Sequence, residues 1–236
     1  MDTVTDWFME IYNSFYKALI PDRRYLAYLN GIKVTLLISF FAILIGIIIG
    51  VLVAVVKVTA TESRMKWLKS ICDVYITVIR GTPLMVQLLI IYNLIFTSRN
   101  TSEIAVGAIC FGINSGAYVA EIIRAGIDSV DKGQMEAGRS LGLNHIQTMR
   151  MIIMPQAVKN ILPALGNEFI TLIKETSVAS VIAVTEVTKA AQYIGSRTYD
   201  VLPPLLIAAV CYLVMVVGLS KLLGLLERRM ARSDRN

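Results

Sequence analysis

Residues 31–56 read GIKVTLLISFFAILIGIIIGVLVAVV, apolar throughout save for Lys33 and a few small hydroxylated side chains. As a helix this run rises about 39 Å at ~1.5 Å per residue, more than the roughly 30 Å of a bilayer's hydrocarbon core. It is read as a membrane span. Four further apolar runs follow, at about 72–96, 104–123, 161–184 and 202–226. The hydrophobic share of 56% against 17% charged agrees, since soluble domains hold roughly 45–50% apolar residues. The chain is therefore expected to be an all-α integral membrane protein with five transmembrane helices.

The interruptions carry the rest of the information. In residues 1–20, Trp7, Ile11, Phe15 and Leu19 recur every fourth position and share one helical face. Either an interfacial helix or a helix packed on the bundle fits that pattern. Asp2, Asp6 and Glu10 stand where a cleavable signal would be basic, so none is expected. Gly46 and Gly50 form a GxxxG, which permits close helix contact but is common by chance in membrane helices. In the second run, Arg80-Gly81-Thr82-Pro83 predicts a kink. Glu121 and Arg124, three apart, can pair. Cys72, Cys110 and Cys211 lie far apart, and His145 is the single histidine, so neither a disulfide frame nor a metal site is expected. His145 is read as a solvated or partner-contacting loop residue. The expected division is an arm at 1–26, a transmembrane domain at 27–227 and a tail at 228–236.

The net charge of +6 is unevenly spread. Lys57, Arg64, Lys66 and Lys69 lie in one link, against Glu62. Arg124, Lys132, Arg139, Arg150 and Lys159 lie in another. Lys221, Arg228, Arg229, Arg232 and Arg235 end the chain. The alternate links hold only Arg99 and then Lys189 with Arg197. The positive-inside rule puts the N-terminus outside and the C-terminus in the cytoplasm. Charge placed this way marks a membrane side rather than a nucleic-acid surface.

The stretch 136–155, EAGRSLGLNHIQTMRMIIMP, then lies in the cytoplasm. Its apolar positions are too few to cross a bilayer and too regular for a free linker. It predicts a short helix from 132 to 141, a break at Gly142 and a second helical turn over 146–153 closed by Pro155. No GxxxxGK[ST] loop occurs in the chain, so any nucleotide-driven work needs another subunit.

Glu136-Ala137-Gly138, Gly142, Ile152 and Pro155 resemble the EAA loop of binding-protein-dependent ABC importers, with Gly138 in place of an alanine and Met154 in place of a leucine. Residues 80–84 with Gln87, 117–127 and 162–169 look like the polar amino-acid branch of that family. The resemblance covers the chain from about 31 to its end. It implies a type I ABC importer permease fold with a cytoplasmic coupling helix in a loop at about 128–156. It implies two ATP-binding cassette subunits, a second permease protomer (the same or a relative), and an extracellular substrate-binding protein. ATP and Mg would be bound by the ATPases, with no cofactor in this chain. The location implied is a prokaryotic cell membrane. Glu136, Ala137, Gly138, Gly142 and Pro155 would form the ATPase-coupling segment, the small residues letting the ATPase surface approach.

The fourth run contains Glu168, Lys174 and Glu175. Three charges facing lipid would cost on the order of 8–10 kcal/mol at about 2.5–3.5 each. They must face a cavity, a protomer or one another. Asn167, Thr171 and Lys174 follow one helical path, and Glu168, Thr171 and Glu175 an adjacent one. An amino acid's ammonium and carboxylate suit such a flank, and Asn167, Glu168, Thr171 and Leu84 are the candidate substrate contacts. An inter-helix hydrogen-bond pair is the alternative for Asn167 and Glu168. For Lys174 and Glu175 a salt bridge or a protomer contact is favoured. Thr82, Pro83 and Leu84 line the path or merely bend the helix, and 177–183 is a possible gate. The expected function is the permease subunit of an ATP-driven amino-acid uptake system, not by itself an enzyme. A non-transporting sensor or scaffold beside an ATPase is the rival reading.

Overall fold

The computed structural model of the chain describes residues 2–59, 66–95 and 101–233. Glu62 and Arg64 of the basic link, Phe96, Arg99 and Arg235 lie outside the described residues. Among the described residues there is no strand. The helices are α1 (Asp2–Leu19), α2 (Tyr25–Thr59), α3 (Lys66–Gly81), α4 (Leu84–Ile95), α5 (Glu103–Asp128), α6 (Gly133–Ser140), α7 (His145–Thr148), α8 (Met154–Glu175), α9 (Val187–Thr198) and α10 (Leu202–Ser233). A 3-10 turn at Pro21–Arg23 separates α1 from α2.

The core is the parallel pair α2 and α5. Gly46 lies against Ser115 and Gly50 against Val119, while Gly112 and Gly116 of α5 receive Ile45 and Ile49 of α2. A Cβ on Gly46 would stand 2.9 Å from the Ser115 hydroxyl oxygen. The GxxxG is therefore a packing device, answered by a second small-residue stripe on α5. Matched contacts rising together along both chains make the two helices run the same way. The chain must cross back between them.

The crossing expected as a kinked span over 72–96 is bent far more sharply than a kink, as a broken span or a re-entrant pair. α3 and α4 meet at a bend of 114°. Asp73 and Arg80, two turns apart on α3, both form ion pairs at one end of α2 and α5: Lys57–Asp73 at 2.9 Å and Arg80–Glu121 at 3.3 Å. α4, at 12 residues, rises only about 18 Å and cannot cross alone. Proline and glycine supply the break, but the angle is fixed by Gln87. Its amide donates to the Ile79 carbonyl (2.6 Å), the Thr82 carbonyl (3.0 Å) and the Thr82 hydroxyl (2.7 Å), and accepts from Asn114 of α5 (2.8 Å).

α8 runs antiparallel to α5. Gly126 packs against Ile161, and Ser115 bonds Glu168. The fourth predicted span ends as an α-helix at Glu175 and continues as a 3-10 helix, Thr176–Ile182, stopped by Ala183 in the left-handed region (φ 62°). Together they cover the whole of α5: Asn160 donates to Ser129 Oγ at one end (2.8 Å), and Glu103 accepts from the Thr185 amide at the other (2.8 Å). Among the described residues three helices, α2, α5 and α10, are long and apolar enough to cross a membrane, and the bent pair makes a fourth if taken as one span. α8, with Lys159, Glu168, Lys174 and Glu175 along its length, is not among them. α9 and the C-terminal end of α1 close the far side, where Ala18 and Tyr28 pack with Val187, Ala191 and Ile194.

Candidate functional site

The loop between α5 and α8 is a helical hairpin. α6 matches the expected 132–141 helix to within a residue at each end, with Lys132 and Leu141 as its caps. Gly142 has φ +84°, a conformation that L side chains rarely adopt. There the Leu143 amide donates to the Gly138 carbonyl (3.1 Å) and the Gly142 amide to the Arg139 carbonyl (3.0 Å), a Schellman stop. Two residues later Asn144 and Gln147 exchange a capping box and start α7.

Two expectations about this loop are corrected. Gly138 does not offer its face to a partner. It is buried, and a Cβ there would meet the Thr148 side chain and stand 3.1 Å from Ile152. It exists so that α6 can seat on the returning helix. Nor does Pro155 close a turn. It occupies the first turn of α8, and the helix runs on from α7 through a π turn, Met149–Ile153. Proline has no amide to donate and its ring crowds the carbonyl four residues back. The π turn widens the backbone at that point, with the Met154 amide reaching the Met149 carbonyl. Glu136, in the first turn of α6, Ala137 and Gly142 are exposed. So are Leu141 (80%) and Ile146 (76%), apolar side chains that the sequence reading did not single out.

On α8 the four candidate substrate contacts separate. Asn167 is exposed and its amide donates to the Pro163 carbonyl (3.1 Å). Glu168 turns inward and accepts from Ser115 Oγ (2.7 Å). Thr171 is half-buried between these two directions. Leu84 opens α4 and packs on the apolar core. Neither Lys174 nor Glu175 forms a salt bridge among the described residues, which removes that part of the expectation; Lys174 is exposed. The result is an exposed polar edge, Asn167 and Lys174, beside a carboxylate tied to α5.

Glu121 and Arg124 do pair (3.0 Å), but within a larger cluster. Glu121 also meets Arg80 and Lys57 (3.8 Å), and Arg124 meets Asp128 (2.7 Å). Arg80 also lies over the Tyr118 ring, 5.5 Å from its centre. The sequence reading missed Glu186 altogether. It is fully buried and caps α9, accepting from the Thr188 and Lys189 amides (2.7 Å each) and from the Tyr212 hydroxyl of α10 (2.5 Å). It ties the start of α9 to α10.

The model of the family described as "Binding-protein-dependent transport system inner membrane component" matches residues 27–232. The putative glutamine transport system permease protein GlnP of Rickettsia bellii is 40% identical over 203 residues, 85% of this chain and 91% of its own length. The arginine transport system permease protein ArtQ of Bacillus subtilis is 38% identical over 224 residues, covering 94% of this chain and all of that protein. A crystal structure of an amino acid ABC transporter with histidines superposes with a TM-score of 0.80 at 49% identity, over 86% of this chain and 94% of that one. An inward-facing MetNI methionine ABC transporter shares the fold alone, at 18% identity and a TM-score of 0.74. With these relatives spanning nearly its whole length, the chain belongs to the binding-protein-dependent transport system inner membrane components, multi-pass membrane permeases of ABC transporters.

Proposed function

We propose that this permease takes up a polar amino acid, that its α6–α7 hairpin docks on a separate ATPase, and that the polar edge of α8 meets the substrate. The observation that carries the reading is the continuity of the hairpin with α8. Gly138 locks α6 onto Thr148, and the π turn passes that helix without a break into the one bearing Asn167, Glu168 and Thr171. Force applied at Leu141 and Ile146 therefore reaches the polar edge through helix, not through a loop. The names of the glutamine, arginine and cystine permeases among its relatives support the substrate class. Two ATP-binding cassette subunits, each with bound ATP and Mg, a second permease protomer and an extracellular binding protein complete the assembly. ATP hydrolysis belongs to the cassette subunits. The N-terminus lies outside and the C-terminus in the cytoplasm. The 27–227 region forms the transmembrane domain.

Glu168 offers a carboxylate on the α5-facing side of α8 and Asn167 an amide on its exposed side, chemistry that suits an ammonium and a carboxylate. The complex is reconstituted in vesicles and ATP hydrolysis is measured with and without substrate-loaded binding protein. Stimulation by an amino acid marks a transporter, whereas hydrolysis indifferent to every amino acid favours the scaffold reading. In the same vesicles Glu168→Gln is expected to lower uptake or change which amino acid is preferred. Unchanged kinetics for all of them would remove Glu168 from the substrate path.

A further inference from the structure

Three spans leave a cleft that none of the described residues fills. α2 and α8 both lie on α5, and between them is a cavity of about 440 Å³. Ala54, Val119, Ile123 and Ile161 form its buried floor, and Val158 and Leu162 are exposed on its wall. Every side chain lining it is aliphatic or a methionine. The volume lies within the roughly 300–1,000 Å³ of ligand sites, but a polar ligand would find no partner there for the water it gave up.

Position identifies the occupant. Apart from Met149, in the π turn of the hairpin, the lining belongs to α2, α5 and α8, so the medium at the mouth is hydrocarbon. Ile48 and Leu52 of α2 are exposed and extend the apolar surface beyond it. The cleft also lies away from the polar edge: Leu165 lines it, whereas Asn167, two residues on, points to the opposite side of α8. An empty cleft would leave its walls without dispersion contacts. We infer that it holds one acyl chain of a membrane phospholipid, wedged between α2, α5 and α8. This does not rest on the amino-acid reading. Met149 and Met154 close the end of the cleft beside the hairpin, and their flexible side chains adjust to the chain end. Met149 is part of the π turn, so the lipid braces the joint between α6 and α8.

The test uses the full chain in nanodiscs of phosphatidylethanolamine and phosphatidylglycerol, with a trace of phosphatidylglycerol bearing a diazirine on its acyl chain. After irradiation, adducts are expected several-fold more often on peptides carrying Met149, Met154 and Val158 than on those carrying Leu213 and Val214, apolar and exposed on α10. Unlabelled phosphatidylglycerol should compete for the first set and leave the second proportionately less affected. Val158→Trp, which fills the cleft, should lower the first set several-fold with the α10 adducts unchanged; melting temperature and elution volume report its folding. Equal labelling of the α8 and α10 peptides overturns the proposal even if the variant fails to fold. So does a disulfide joining two copies through Val158→Cys, which would mean that a second copy covers the cleft.

Discussion

Two glycines of the hairpin look alike in the sequence and differ in the fold. Gly142 needs its backbone: φ is +84° and no atom lies within 4 Å of where a Cβ would stand. Gly138 needs its emptiness, because Thr148 occupies the Cβ position. Gly138→Val should therefore lower thermal stability, by about 1–3 kcal/mol for an overpacked contact, read as a fall in melting temperature. Gly142→Asp has room for its side chain and costs about 1–2 kcal/mol in backbone strain. It is expected to abolish uptake while the protein stays in the membrane. Normal ATPase docking and transport by that variant would sink the coupling role. The family pattern named both positions, and the positive φ at Gly142 was legible as a helix stop. The role of Gly138 was not, because its partner Thr148 declares nothing in a local pattern. Glu186 was hidden for a similar reason. A glutamate is an uncommon helix cap, and Tyr212, its donor, lies 26 residues away.

At the scale of the element, periodicity found the helices and misjudged their joints. The apolar runs marked α2, α5 and α10 because a long lipid-facing helix leaves little compositional choice. The 114° bend was announced by Gly81-Thr82-Pro83 only as a kink. Its size depends on Gln87 reaching Asn114 of another helix, a contact no window of sequence contains. Pro155 misled in the other direction, since a π turn lets the helix pass it. α1 tests the sequence reading directly. Its C-terminal end packs through Ala18, but Trp7 (57%), Phe8 and Tyr12 are exposed over the rest. Aromatic side chains of this kind favour the membrane–water interface. With Trp67→Phe leaving Trp7 as the one indole, emission should be blue-shifted in vesicles and quenched by lipids brominated near the headgroup. Emission like that of a water-exposed indole would argue for a helix standing clear of the bilayer.

At the scale of the molecule, contacts fix which helices run the same way, and charge proposes which way that is. α2 and α5 run one way and α8 the other, and Glu186–Tyr212 with Gly166 against Leu223 make α10 antiparallel to α8. A cysteine introduced at Leu141, in a chain whose three native cysteines are replaced, should react with an impermeant maleimide only when the cytoplasmic face is open to it. Labelling from outside would reverse the proposed topology. The pinning of α8 to α5 has a further consequence. Asn160–Ser129 and Thr185–Glu103 fasten the two at opposite ends, with Ser115–Glu168 between. Two rods riveted at three heights make a plate, which tilts but does not part along its seam. On the proposed coupling, a push on the hairpin would swing the edge bearing Asn167 and Lys174 as a door swings on its frame. If the proposed second protomer presents the same plate, the doorway would be the gap between the two, each protomer contributing one leaf.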